Sequence, residues 1–185
     1  MSTNIVFMGT PDFSVPALES LIKNKFNILT VYTQPAKKSK RGQKINESPI
    51  AEFCKKNQLS FCNPENLDNK KELENFKKLS PDIVVVVAYG KIIPNFFLDI
   101  PKFGFINIHA SLLPKWRGAA PIQRAIMNQD KKIGISIMKI KEELDSGPIL
   151  LSREFELNQN DTHGELEKKL SENGADLLIE SLEKI

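Results

Sequence analysis

The chain has 185 residues, 41% hydrophobic and 26% charged, which suits one domain with a real core and leaves little room for a second. Its 26 Lys and Arg against 23 Asp and Glu leave a net charge of +3, too small for charge alone to argue for a nucleic-acid partner. No apolar run approaches the ~20 residues that span a bilayer, the opening MSTNIVFMGTPDF lacks the basic and apolar regions of a signal peptide, and Cys54 and Cys62 alone suggest neither a disulfide framework nor a zinc site. The composition therefore reads as a reduced, cytoplasmic protein.

Residues 5–8 form an apolar run stopped by Gly9 and Pro11, the pattern of a buried strand and a tight turn. Gly9-Thr10-Pro11-Asp12-Phe13 stands where a dinucleotide fold carries its phosphate loop, but one glycine replaces the three needed there, which disfavours NAD. The segment reads either as a plain turn or as a crevice loop at the carboxyl ends of the strands, and Asp12 could equally cap a helix. Pro16 opens a helix whose apolar positions are Leu18, Leu21 and Ile22; 28–32 is the next strand, and 34–49 a long polar loop. Within that loop Lys37, Lys38, Lys40, Arg41 and Lys44 form a basic stretch, which is either a solvated loop or a clamp for a phosphate backbone.

Ser48 and Pro49 look like the cap and first-turn proline of a helix through 57, followed by a strand over 59–62 and a polar helix over 70–79. Residues 83–88 are continuously apolar, the habit of a central parallel strand covered on both faces. Pro94 starts a short helix, 105–109 is a strand, 121–128 a helix, and 133–140 and 149–155 are two further strands. Thr162 and Glu165 fit a capping box for a last helix carrying Leu166, Leu170 and Leu177 on one side. Alternation of strands and helices predicts an α/β fold: a Rossmann-like, mostly parallel sheet with helices on both faces, and possible antiparallel pairing in the late strands.

The strand at 105–109 carries the chemistry. Period-two alternation puts Asn107 and His109 on one face and Ile106 and Ile108 on the other. An amide and an imidazole ending a buried strand are either packed polar groups or catalysts facing a crevice. Leu144-Asp145-Ser146-Gly147 sets an acid in a turn between strands; beside an imidazole, a carboxylate favours the charged ring and fixes its orientation. Sequence spacing does not bring Asp145 to His109. His163, at a helix start, reads as a surface residue far from any second metal ligand.

The stretch NIHASLLPKWRGAAPIQ, residues 107–123, resembles the signature of the formyltransferases that use 10-formyltetrahydrofolate. The resemblance implies that Asn107, His109 and Asp145 form the catalytic group, and that Ser111, Leu112, Leu113 and Pro114 make the folate-contacting turn. GTPDF, TQP (33–35), VVVAYG (85–90) and KWRGAAPIQ (115–123) resemble the tRNA-acting members. That implies methionyl-initiator tRNA as amine-bearing partner, contacted by Lys40 and Arg41, in a monomer with no metal and no membrane association. The resemblance covers the whole chain, so residues 1–185 are expected to be the catalytic domain, without the barrel-like domain that normally follows it. Other readings stay open: formylation of a nucleotide or sugar amine, hydrolysis of the same donor, or a non-catalytic folate- or tRNA-binding module.

Overall fold

The structure is a computed structural model that describes residues 3–38 and 45–185. Seven strands form one sheet in the order β5-β2-β1-β6-β7-β8-β9, where β1 is Asn4–Gly9, β2 Asn27–Tyr32, β5 Phe61–Cys62, β6 Ile83–Val87, β7 Phe105–His109, β8 Lys132–Lys139 and β9 Ile149–Glu156. The first five of these, in that order, run parallel, whereas β8 pairs antiparallel with β7 and with β9. The mostly parallel sheet and the antiparallel late pair both match the sequence reading.

Alternation along the central strands builds two cores. Ile5 and Phe7 of β1 and Ile83, Val85 and Val87 of β6 face one layer, made by α1 (Val15–Lys23), α2 (Pro49–Lys56), α5 (Pro121–Met127) and α6 (His163–Leu182). Val6, Met8, Val84 and Val86 face the other, where α3 (Lys70–Leu79) and α4 (Asn95–Leu98) supply Phe76 and Phe97. Phe76 is the hub of that second core, with ring centroids 4.9 Å from Phe97 and 6.0 Å from Phe105. Every residue of β6 is buried, as continuous apolarity requires of a strand covered on both faces.

The helix ends follow the expected chemistry. Ser48 Oγ accepts the Ala51 N–H at 3.1 Å, and the Thr162–Glu165 capping box is complete. Four local readings need correction. Asp12 does not cap a helix: it is exposed within a 3-10 turn, Asp12–Ser14, that precedes α1. Ile22 lies off the buried stripe of α1, which is Ala17, Leu18 and Leu21, and is 36% exposed, since helical spacing carries it about 90° from the centre of that stripe. The third strand shrinks to Phe61–Cys62, since Leu59 spends its N–H on the Cys54 carbonyl of α2 at 2.9 Å rather than on β2. Residues 34–49 are not wholly loop, because β3 (Lys37–Lys38) and β4 (Ile45–Asn46) pair antiparallel. Lys40, Arg41 and Lys44 lie outside the described residues.

Cys54 and Cys62 are both free, and burial pushes each thiol up to about 11. Among the described residues no helix is long and apolar enough to cross a membrane.

Candidate active site

Chain order and sheet order part company at β1: β2 lies on one side of it and β6 on the other. Open α/β sheets form a ligand crevice at such a switch point, beyond the carboxyl ends of the strands. Here the crevice has a volume of about 860 Å³, within the range of small-molecule sites. Pro11 and Phe13 beyond β1, Ala88 to Gly90 beyond β6, and Asn107 and His109 at the end of β7 all line it.

The floor between β1 and β6 is stitched by short hydrogen bonds. Ser14 Oγ donates to the Val87 carbonyl at 2.6 Å and Thr10 Oγ1 to the Tyr89 carbonyl at 2.8 Å. Gln34 Nε2 donates to that same Tyr89 carbonyl at 2.8 Å. Three stretches far apart in sequence, GTPDF, TQP and AYG, thus meet on one backbone oxygen. Gly9 is required by close approach, because a Cβ there would sit 2.7 Å from the Phe7 ring and 2.8 Å from Ser14 Cβ.

Asn107 and His109 share a face, as alternation predicted, with Asn107 half-buried and His109 7% exposed. The turn after β8 brings Asp145 to them: its Oδ2 lies 3.6 Å from His109 Nδ1 and accepts the Gly118 N–H at 2.7 Å. On the other side of the ring, His109 Nε2 is 2.9 Å from the Trp116 carbonyl. Both ring nitrogens therefore face an acceptor. A neutral imidazole has one N–H and answers one of them; the doubly protonated ring answers both.

The loops around the site, and above all the one that follows β7, are held in uncommon backbone conformations. Trp116 (φ +57°), Ala120 (φ +57°), Asp145 (φ +47°) and Ala88 (φ +46°) all occupy the left-handed region, where residues other than glycine are scarce. Such conformations persist only where the surroundings over-determine them, and they cluster at functional sites. Ser136, buried on β8 opposite His109, anchors the loop by donating to the Ser111 carbonyl at 2.7 Å and accepting the Leu113 N–H at 3.2 Å.

The expected folate turn is spent largely on this architecture. Ser111 Oγ donates to the Lys115 carbonyl at 2.6 Å, and Leu112 lies over Gly134, where a Cβ would come within 2.4 Å of its Cδ2. Leu113 is half-buried and Pro114 exposed, and none of the four lines the crevice. His163 keeps a surface position, its side chain 38% exposed at the rim of the crevice. There its Nε2 accepts from Gln123 Nε2 at 2.8 Å and its Nδ1 lies 3.9 Å from Glu167, because the start of α6 packs across α5. Among the described residues no group of three or more His, Cys, Asp or Glu is placed to hold a metal ion.

Sequence reasoning missed the Trp116 carbonyl, the Gly118 N–H, Ser136 and Asp130. The first two are backbone groups and carry no side-chain signal. Ser136 was visible as a lone hydroxyl inside the apolar run ISIM. Asp130 accepts from Lys115 Nζ at 2.8 Å, Trp116 Nε1 at 2.7 Å and Asn128 Nδ2 at 2.7 Å. Burial works to raise its carboxyl, but these three donors outweigh burial and hold it below the usual carboxylate range.

The sequence profile of the family described as Formyl transferase matches residues 3–182. The methionyl-tRNA formyltransferase of Pelagibacter ubique is 52% identical over 186 residues, a span equal to all of this chain and 60% of that protein. The enzyme of the same name from Fusobacterium nucleatum is 49% identical, over 98% of this chain and 58% of its own length. The chain thus spans about 60% of the length of the curated relatives it matches. Among solved structures, phosphoribosylglycinamide formyltransferase from Bacillus halodurans superposes with a TM-score of 0.80 at 20% identity, covering 98% of this chain and 94% of that one. A formyltetrahydrofolate deformylase from Pseudomonas syringae reaches 0.78 at 20% identity, covering 98% of this chain and 60% of that one. At that identity the likeness establishes the fold alone.

Proposed function

Because the chain belongs to the formyl transferase family, we propose that its crevice transfers a formyl group from 10-formyltetrahydrofolate to the amino group of methionyl-initiator tRNA. The observation that carries this reading is the convergence of Asn107, His109 and Asp145 at the crevice, with Asp145 Oδ2 3.6 Å from His109 Nδ1. Two relatives about half identical to the chain bear a name that specifies methionyl-tRNA, which supports the choice of acceptor.

The amine nitrogen attacks the formyl carbon, and the carbonyl oxygen takes up the displaced electron pair. The Asn107 amide and the Nδ1–H of a doubly protonated His109 ring donate to that oxyanion, preorganised donors of the kind that lower acyl-transfer barriers. The bond from carbon to folate N10 then breaks as His109 gives its proton to N10. The proton lost by the attacking amine passes to the Asp145 carboxylate through water. The products are a formylated amine and tetrahydrofolate. His109 acts through Nδ1 because Nε2 is held by the Trp116 carbonyl.

In the same reading the Ser111, Leu112, Leu113 and Pro114 turn borders the folate, through the exposed surface of Leu113 and Pro114. Lys40 and Arg41 of the basic loop grip the tRNA acceptor end. The protein works in the cytoplasm as a monomer, with residues 1–185 acting as a catalytic domain that needs no metal.

The test supplies the protein with formyl-labelled donor and charged initiator tRNA and asks where the labelled carbon goes. Label on the methionyl amine is the expected result. Release as formate would mark a hydrolase, and label left on the donor would mark a binding module; either overturns the reading.

A further inference from the structure

Asp130 lies outside the crevice, on the rim of a separate hollow beside Gln129 and Lys131, and its side chain is only 6% exposed. Both of its oxygens are engaged: Oδ1 by Lys115 and Asn128, Oδ2 by the Trp116 indole N–H at 2.7 Å. It therefore grips two consecutive residues of the loop that leads away from His109. The second of them, Trp116, is in the left-handed region at φ +57°, a backbone state that bulky residues rarely adopt and that the surroundings must enforce. In that conformation the Trp116 carbonyl meets His109 Nε2 at 2.9 Å.

We infer that Asp130 is a positioning residue that, by clamping Lys115 and Trp116, fixes the Trp116 carbonyl on His109 Nε2 and thereby decides which ring nitrogen faces the reacting groups. The state of one imidazole nitrogen is set by the hydrogen bond that the other makes. With Nε2–H donated to Trp116, Nδ1 is left toward Asp145 at 3.6 Å and toward the crevice. Without the clamp, the turn relaxes toward ordinary backbone angles, the carbonyl swings off Nε2, and the ring is free to rotate and exchange tautomers. The consequence for turnover rests on the formyl-transfer reading; the consequence for the ring does not.

The chain's two histidines and single tryptophan make the test direct. Nitrogen-15 spectra of the histidine rings and the indole are compared between the unsubstituted protein and Asp130→Ala. The indole signal is expected to move, reporting loss of its bond to Asp130, and the His109 Nε2 signal to move with it and exchange faster with water, while His163 stays put. Turnover should fall on the order of tenfold to a hundredfold, the scale of a small misplacement of a reacting group, with KM for the formyl donor little changed. Where Asp130→Ala does not fold, Trp116→Phe deletes only the indole donor and is read in the same way. A shifted or deleted indole signal beside unmoved His109 signals overturns the inference. Absence of formyl transfer by the unsubstituted protein would count against the proposed function alone, because the ring spectra still decide the role of Asp130.

Discussion

Asn107 and His109 became neighbours through the period of a strand, which is why their shared face could be read from sequence, whereas the approach of Asp145 to them could not. Asp145 reaches His109 by the folding back of β8 and its following turn, a tertiary event that no local pattern encodes. Removing one oxyanion donor typically slows turnover by about 10²–10³-fold. Asn107→Ala and His109→Ala are each expected to lose at least that much while keeping the circular dichroism of the folded domain; near-normal turnover in either would reject their role. Gly147 is a stricter requirement than its turn suggests. A Cβ there would stand 1.8 Å from the Lys139 carbonyl oxygen, a backbone atom that no rotamer change can move aside. Gly147→Ala must therefore open the turn that presents Asp145, two residues earlier. Its expected signature is a fall in turnover comparable to that of Asp145→Ala with donor binding retained, measured by steady-state kinetics beside equilibrium binding of the folate.

At the scale of elements the local chemistry was largely legible, because caps, prolines and periodicity act over a few residues. The helix at Lys70–Leu79 and the strand at Phe105–His109 have the boundaries read from sequence, and Ser48 and Thr162 cap where expected. What escaped was set by partners: the shortening of β5, the face of α1 that enters the core and the pairing of β3 with β4. The capping-box helix α6 shows how close packing can override propensity. Gly174 sits mid-helix, where alanine would be favoured by about 1 kcal/mol. A Cβ there would lie 2.9 Å from Ile108 Cγ2 and 2.7 Å from Ile135 Cδ1, so the helix would have to lift off β7 and β8. Overpacking of this kind costs about 1–3 kcal/mol, and the stiff β-branched methyl of Ile108 gives little way. Gly174→Ala should thus be net destabilising in urea titration and Gly174→Val more so. A stabilised Gly174→Ala would mean that helix propensity wins at this contact.

The molecule as a whole is held together across its crevice end by α6, and this couples the site to the stability of the sheet. Leu166, Leu170, Ala175, Leu177 and Leu178 of α6 share one buried cluster with Ile5 and Phe7 of β1, Val85 of β6, Ile106 of β7 and Ile135 of β8. Ser171 Oγ donates to the Phe13 carbonyl at 2.7 Å, tying the helix to the loop that floors the crevice. Leu170 is fully buried in that cluster and does not line the crevice, so Leu170→Ala leaves a cavity outside the site. Truncations of this type cost about 2–5 kcal/mol, a large share of the roughly 5–15 kcal/mol that holds an ordinary domain folded. Because the cluster runs unbroken from α6 through β1 to β8, that loss should not stay local. The sole tryptophan, Trp116, lies in the loop beside His109 and reports the site, while far-UV circular dichroism reports the whole sheet. In a urea titration of Leu170→Ala, both signals are expected to shift to lower denaturant together, with one common midpoint. Separate midpoints would show that the crevice loop and the sheet unfold as independent units, and that α6 does not join them.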